Sequence, residues 1–230
     1  MARFVLIPGA GGSAWTWHLL VRELAGRGHE AVAVDIREDD PALGLEDYAA
    51  TVLEAVDGRA ETVLVAHSMG AFTAPMVTER TPVRMLVLVN PMTPVPGETP
   101  GVWWEATGQP AEREAAERAA GREATMNEDV MFFHDLPESL REAARQDGRG
   151  PSDTPFGQPC AFTRWPEVPL HVIVGRDDRL FPLAFQQRVV RERLGIEPDV
   201  MLGGHLLALS QPAELADRLE TYIRHDRVGD

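Results

Sequence analysis

Short apolar runs recur along the chain, separated by stretches with helical spacing. The runs are Arg3–Ile7, Ala31–Asp35, Thr62–Ala66, Met85–Val89, Leu170–Val174 and Pro198–Met201. Several are almost wholly apolar, the pattern of strands covered on both faces of a parallel sheet. Between the second and third runs, Leu45, Tyr48, Ala49, Val52, Leu53 and Val56 fall on one helical face. The spacing also predicts a last helix that opens at Pro212 and buries Leu215, Ala216, Leu219, Tyr222 and Ile223. Strands alternating with helices give βαβ units and right-handed crossovers, hence a doubly wound α/β fold.

The alternation breaks between Val89 and Leu170. Residues 95–166 are rich in proline and glycine and carry the aromatic pairs Trp103-Trp104 and Phe132-Phe133. Within them, Ala111 to Thr125 is mostly Glu, Arg and Ala. A helix there gains little from packing and leans on pairs such as Glu114 with Arg118. This divides the chain into a core of residues 1–94 and 167–230 and a helical insertion of residues 95–166, read as a lid over the carboxyl edge of the sheet. A purely structural subdomain is the alternative. No internal repeat is evident.

Composition narrows the chemistry. The net charge of −14 argues against nucleic acid, whose phosphates it would repel. All 22 basic residues are arginine, which removes Schiff-base chemistry and any mechanism that needs a lysine. The single cysteine, Cys160, allows no internal disulfide and fits a reducing compartment. Neither a signal peptide nor an apolar stretch of membrane-spanning length is present, so the expectation is a cytoplasmic protein without a membrane partner.

Four places carry chemistry. The first is Ala66-His67-Ser68-Met69-Gly70, between an apolar run and a helical one. A serine between small residues on a strand-to-helix turn is lifted into a site as a nucleophile; the plain alternative is an ordinary turn. The second is Pro8-Gly9-Ala10-Gly11-Gly12-Ser13, where glycines let backbone amides approach a substrate oxygen. The oxyanion donors are assigned to the amides of Ala10 and Met69. Gly9, Gly11 and Ala14, with Asp35, also fit a dinucleotide-binding fingerprint. Against that reading, there is no lysine to sit beside a reductase's tyrosine, and Trp15 and Trp17 crowd the expected pyrophosphate position.

The third is Gly175-Arg176-Asp177-Asp178-Arg179-Leu180-Phe181-Pro182, in which G-x-x-D-x-x-x-P favours Asp178 over Asp177 as an acid. The fourth is His205, in Gly203-Gly204-His205 after the sixth run. Of the other histidines, His18, His29 and His225 read as surface residues and His171 opens a strand. His67 is expected to point away from Ser68 and to pack, and His134 lies in the insertion. The chain order Ser68, Asp178, His205 differs from that of the two main serine protease families and is that of α/β-hydrolases.

On these residues the chain resembles the α/β-hydrolase superfamily. More narrowly, it resembles small esterases related to plant methylesterases, salicylate-binding esterases and hydroxynitrile lyases. The matching stretches are Phe4–Trp17, Gly28 to Asp35, Val63–Gly70, Val174–Pro182 and Gly204 to Glu214; the insertion matches poorly. The resemblance implies a six-stranded, mostly parallel sheet in the order 2-1-3-4-5-6. It also implies a Ser68, His205, Asp178 triad and oxyanion donors at Ala10 and Met69. Pro8 replaces the family's usual histidine, and the threonine and lysine of the lyases are absent, which disfavours lyase activity. The motifs around Ser68 and Gly11 are also similar to those of type II thioesterases.

The expected function is hydrolysis of a small carboxylic ester through an acyl-enzyme. Thioesterase, acyl-transfer or lactone chemistry, and a non-catalytic ligand receptor on the same scaffold, stay open as alternatives. Trp103, Trp104, Phe132, His134 and Trp165 are the candidate pocket residues. No metal or cofactor is expected. The expected partner is a small-molecule ester, with a homodimer left open.

Overall fold

The computed structural model describes residues 1–225. Six strands form one sheet: β1 (Arg3–Ile7), β2 (Glu30–Ala33), β3 (Thr62–His67), β4 (Met85–Val89), β5 (Leu170–Gly175) and β6 (Asp199–Met201). Their order across the sheet is β2-β1-β3-β4-β5-β6, and all five pairings are parallel. The apolar runs thus mark the strands, with small shifts at the ends. β2 stops at Ala33, opposite Leu6 of β1, and Asp35 has turned out to meet the amide of Ala14 and the guanidinium of Arg149. β6 excludes Pro198, which has no N–H to give to a ladder.

The helices, in chain order, are α1 (His18–Gly26), α2 (Leu45–Val56), α3 (Gly70–Thr78), α4 (Pro100–Thr107), α5 (Gln109–Ala119), α6 (Glu128–Met131), α7 (Glu138–Asp147), α8 (Leu183–Leu194), α9 (Leu207–Ser210) and α10 (Pro212–His225). Side chains alternate across each strand, so the sheet feeds two cores. Val5, Ile7, Leu64, Ala66, Leu86 and Leu88 face α2, α3 and α8. Phe4, Leu6, Val63, Val65, Met85 and Val87 face α1 and α10. The five residues expected to be buried on α10 are buried.

Four helices, α4 to α7, lie between β4 and β5. The Glu/Arg/Ala stretch forms α5 with Glu114 paired to Arg118, but the helix ends at Ala119, where Gly121 turns to φ +69° and Arg122 folds back on Glu117. The insertion is tied to the core at separated points. Gln158 caps α2 by accepting from the amide of Leu45 at 2.8 Å, and the buried Glu98 pairs with Arg193 of α8.

Candidate active site

The carboxyl ends of β1, β3, β4 and β5 meet at one edge, and the chemistry-bearing residues gather there. Ser68 leaves β3 with φ +50°, a left-handed conformation that costs a non-glycine residue about 1–3 kcal/mol unless its surroundings enforce it. They do. The Ser68 amide donates to Val89 O at 3.1 Å, and its carbonyl accepts from Ala71 and Met92 at 3.1 and 3.0 Å. The loop after β1 closes over this turn because residue 9 is glycine. A Cβ there would lie 2.7 Å from Ser68 Cβ and 2.9 Å from His67 Nδ1.

Asp178 follows β5 and is buried. Its Oδ1 accepts from the amides of Leu180 and Phe181 at 2.8 and 2.9 Å, which leaves Oδ2 aimed at His205 Nδ1, 2.7 Å away. Asp177, its neighbour, is exposed and faces Arg176 and the amide of Gly203 instead. His205 is buried on the loop after β6, with the rings of Phe181 and Phe132 set edge-on to its imidazole at 5.1 and 5.4 Å.

A cleft of about 380 Å³ opens above Ser68 and His205. Ala10 lies on its rim, and Met92, Trp104, Phe132, Phe156, Leu180 and Leu206 give it apolar walls. Of the aromatics expected to line a pocket, Trp104 and Phe132 therefore face the cleft. Three others do not. Trp103 is fully buried beneath it, donating from Nε1 to Thr93 O at 3.0 Å and packing on Phe181 and Phe185. Trp165 packs on Phe162, away from the cleft wall. His134 lies against Gly204 and does not line the cleft. Helical spacing sets adjacent residues on different faces, so Trp103 and Trp104 part company. The side chain of Met69 enters the core while its amide follows directly on Ser68.

His67 packs edge-on against Trp17, as strand alternation leads one to expect. It does not merely pack: its Nε2 lies 3.0 Å from the carbonyl of His205, and the two rings are 4.7 Å apart. Burial, reinforced by the nearby His205, holds its pKa well below the ordinary histidine range.

Other groups at the site carried no motif. Residues 147–152 run along the rim as a strap. Arg149 donates its amide to Gly11 O at 3.1 Å and its guanidinium to Asp35 and to Ile36 O, and Asp147 accepts from Ser13 Oγ. Glu38, buried, accepts from the Gly11 amide at 2.6 Å and from Ser152 N through its carbonyl at 2.7 Å. Burial pushes its carboxyl up to about 8, against the pull of the Gly11 amide and Arg149. Asn90 was also missed, although a polar residue directly after an apolar strand, at the edge where ligands bind, was a usable signal. Among the described residues, no group of three His, Cys, Asp or Glu side chains converges as metal ligands would.

Comparison with known proteins agrees with the fold. The solved structure of polyneuridine aldehyde esterase superposes with a TM-score of 0.77 at 20% identity, covering 96% of this chain and 99% of that one. A methylesterase from Arabidopsis gives a TM-score of 0.76 at 18% identity over 98% of this chain and all of that one. In sequence, the chain is 32% identical to a probable esterase of Oryza sativa subsp. indica over 44% of this chain, and that match spans only 43% of the rice protein. Norfluorocurarine synthase 1 of a Strychnos species is 23% identical over 94% of this chain and 93% of its own length. Residues 4–218 match the alpha/beta hydrolase family across nearly the whole chain, and the protein belongs to that family.

Proposed function

We propose that the protein is a serine carboxylesterase acting on small esters through an acyl-enzyme. The observation that carries this reading is the 2.7 Å contact between His205 Nδ1 and Asp178 Oδ2 at the floor of the cleft that also exposes Ser68. Asp178 fixes the tautomer of His205, so the bare Nε2 is the base. His205 takes the proton from Ser68 as Oγ attacks the ester carbonyl carbon. The amides of Ala10 and Met69 hold the oxyanion. The carbon–oxygen bond to the alcohol then breaks, and His205 returns the proton to the departing alkoxide. Water attacks the acyl-enzyme with His205 again as base, releasing the acid and restoring Ser68. The helical insertion of residues 95–166 serves as the lid, with Trp104 and Phe132 presenting its apolar face to the substrate.

The esterase names among the relatives support the same reaction class. Hydrolysis of p-nitrophenyl acetate and butyrate tests the proposal. Ser68→Ala and Asp178→Asn are each expected to lose at least about 10³-fold in kcat, and Ser68→Ala to resist labelling by a fluorophosphonate. Wild-type rates in either folded variant would overturn it.

A further inference from the structure

The loop that carries the base is poorly suited to holding it. Gly203 and Gly204 precede His205, with Gly203 at φ +119°, and two glycines leave the imidazole's direction weakly set by the backbone itself. The surroundings supply what the loop lacks. Two N–H donors, one at the end of β3 and one just past the end of β4, converge on one acceptor, the carbonyl of His205: His67 Nε2 at 3.0 Å and Asn90 Nδ2 at 2.8 Å. Asn90 Nδ2 also reaches Gly204 O at 3.1 Å.

Asn90 is itself held rigidly. It is fully buried, with φ +43°, and its amide donates to Ile173 O at 2.8 Å. Its Oδ1 accepts from the amide of Gly175 at 2.6 Å, three residues before Asp178. One side chain thus joins the turn that bears the acid to the loop that bears the base. His67 completes the arrangement from the other side, since it is the residue before Ser68. A carbonyl can only accept, so His67 Nε2 carries the hydrogen, and burial keeps the ring neutral with Nδ1 bare. A neutral ring 4.7 Å from His205 adds no repulsion to the positive charge that the base acquires in the transition state.

We propose that His67 and Asn90 are positioning residues for His205. They saturate its carbonyl and so fix the plane and reach of the imidazole between Asp178 and Ser68. The inference rests on the triad reading above. A misplacement of about 1 Å in a base is enough to cost about 10²-fold.

The test uses four variants and two controls, with kcat and KM for p-nitrophenyl butyrate and a thermal melt for each. His67→Phe keeps a ring without an N–H; His67→Gln keeps an N–H near the position of Nε2. Asn90→Asp keeps the acceptor for Gly175 and loses the donor to His205; Asn90→Ala loses both. His67→Phe and Asn90→Asp are expected to lower kcat by about 10- to 100-fold with KM within about twofold. His67→Gln is expected to recover to within about threefold of wild type.

A folded His67→Phe with wild-type kcat overturns the proposal, as does a His67→Gln no better than His67→Phe, which would make the ring's packing the cause. If the Asn90 variants fail to fold, the His67 pair still decides. The controls are Ser68→Ala and His205→Ala. Activity surviving in them would sink the triad reading; their inactivity beside active His67→Phe and Asn90→Asp would sink only this inference.

Discussion

The carboxyl of Glu38 lies 2.6 Å from the amide nitrogen of Gly11, buried beneath the loop that forms the rim of the cleft. A carboxyl in that place has an ordinary role, accepting a hydrogen bond, and a less ordinary consequence for pH.

In the unfolded chain a glutamate ionises near 4.5; in the fold, burial makes Glu38 hold its proton until about pH 8. The native state therefore binds more protons than the unfolded chain across that window. The contribution of Glu38 to stability is present below about pH 5 and is lost as the pH rises towards 8. Glu38→Gln keeps an oxygen for Gly11 and removes the titration. Melting curves from pH 5 to 9 are expected to show the variant gaining on wild type as pH rises. Curves that stay parallel would show that Glu38 does not titrate in this range.

Gly9→Ala places a methyl group 2.7 Å from Ser68 Cβ and 2.9 Å from His67 Nδ1. Neither neighbour is the far end of a flexible chain, so the loop must lift away. Overpacking of this kind costs about 1–3 kcal/mol in stability. It also moves Ala10, so kcat for p-nitrophenyl butyrate is expected to fall by more than the change in KM. A variant with unchanged kcat and melting temperature would show that the loop has slack.

Trp103 and Trp104 are adjacent and should respond oppositely. Trp103→Ala empties a fully buried site that packs on Phe181 and Phe185, and is expected to cost about 3–5 kcal/mol by denaturant unfolding. Trp104 lines the cleft, so Trp104→Ala should cost less stability and shift relative KM values towards bulkier esters. Similar losses of stability with unchanged ester preference in both would place Trp104 in the core as well.

Legibility in the sequence followed whether a short motif marks a residue, not how far away its partner lies. The strands were readable because several are almost wholly apolar, and the sheet order came with the family resemblance that the motifs carried. Asp178 and His205 were readable because short motifs hold them, and the 2.7 Å contact joins residues 27 apart in sequence. Glu38, Asn90 and the strap at Arg149 were not, because what defines them is burial against distant backbone. Glu38 meets Gly11 and Asn90 meets His205 across intervals that leave no local pattern. For His67, strand alternation gives the packing against Trp17, but not the bond to the carbonyl of His205, a partner 138 residues away.

The left-handed backbone at Ser68 sets the preference of the main chain against the identity of the side chain. Glycine adopts φ +50° freely, whereas serine holds it only under the constraint of β4 and the turn. Ser68→Gly therefore removes the hydroxyl while relaxing the backbone, so under the proposed mechanism it is expected to give a more stable hydroxyl-free form than Ser68→Ala for capturing intact ester.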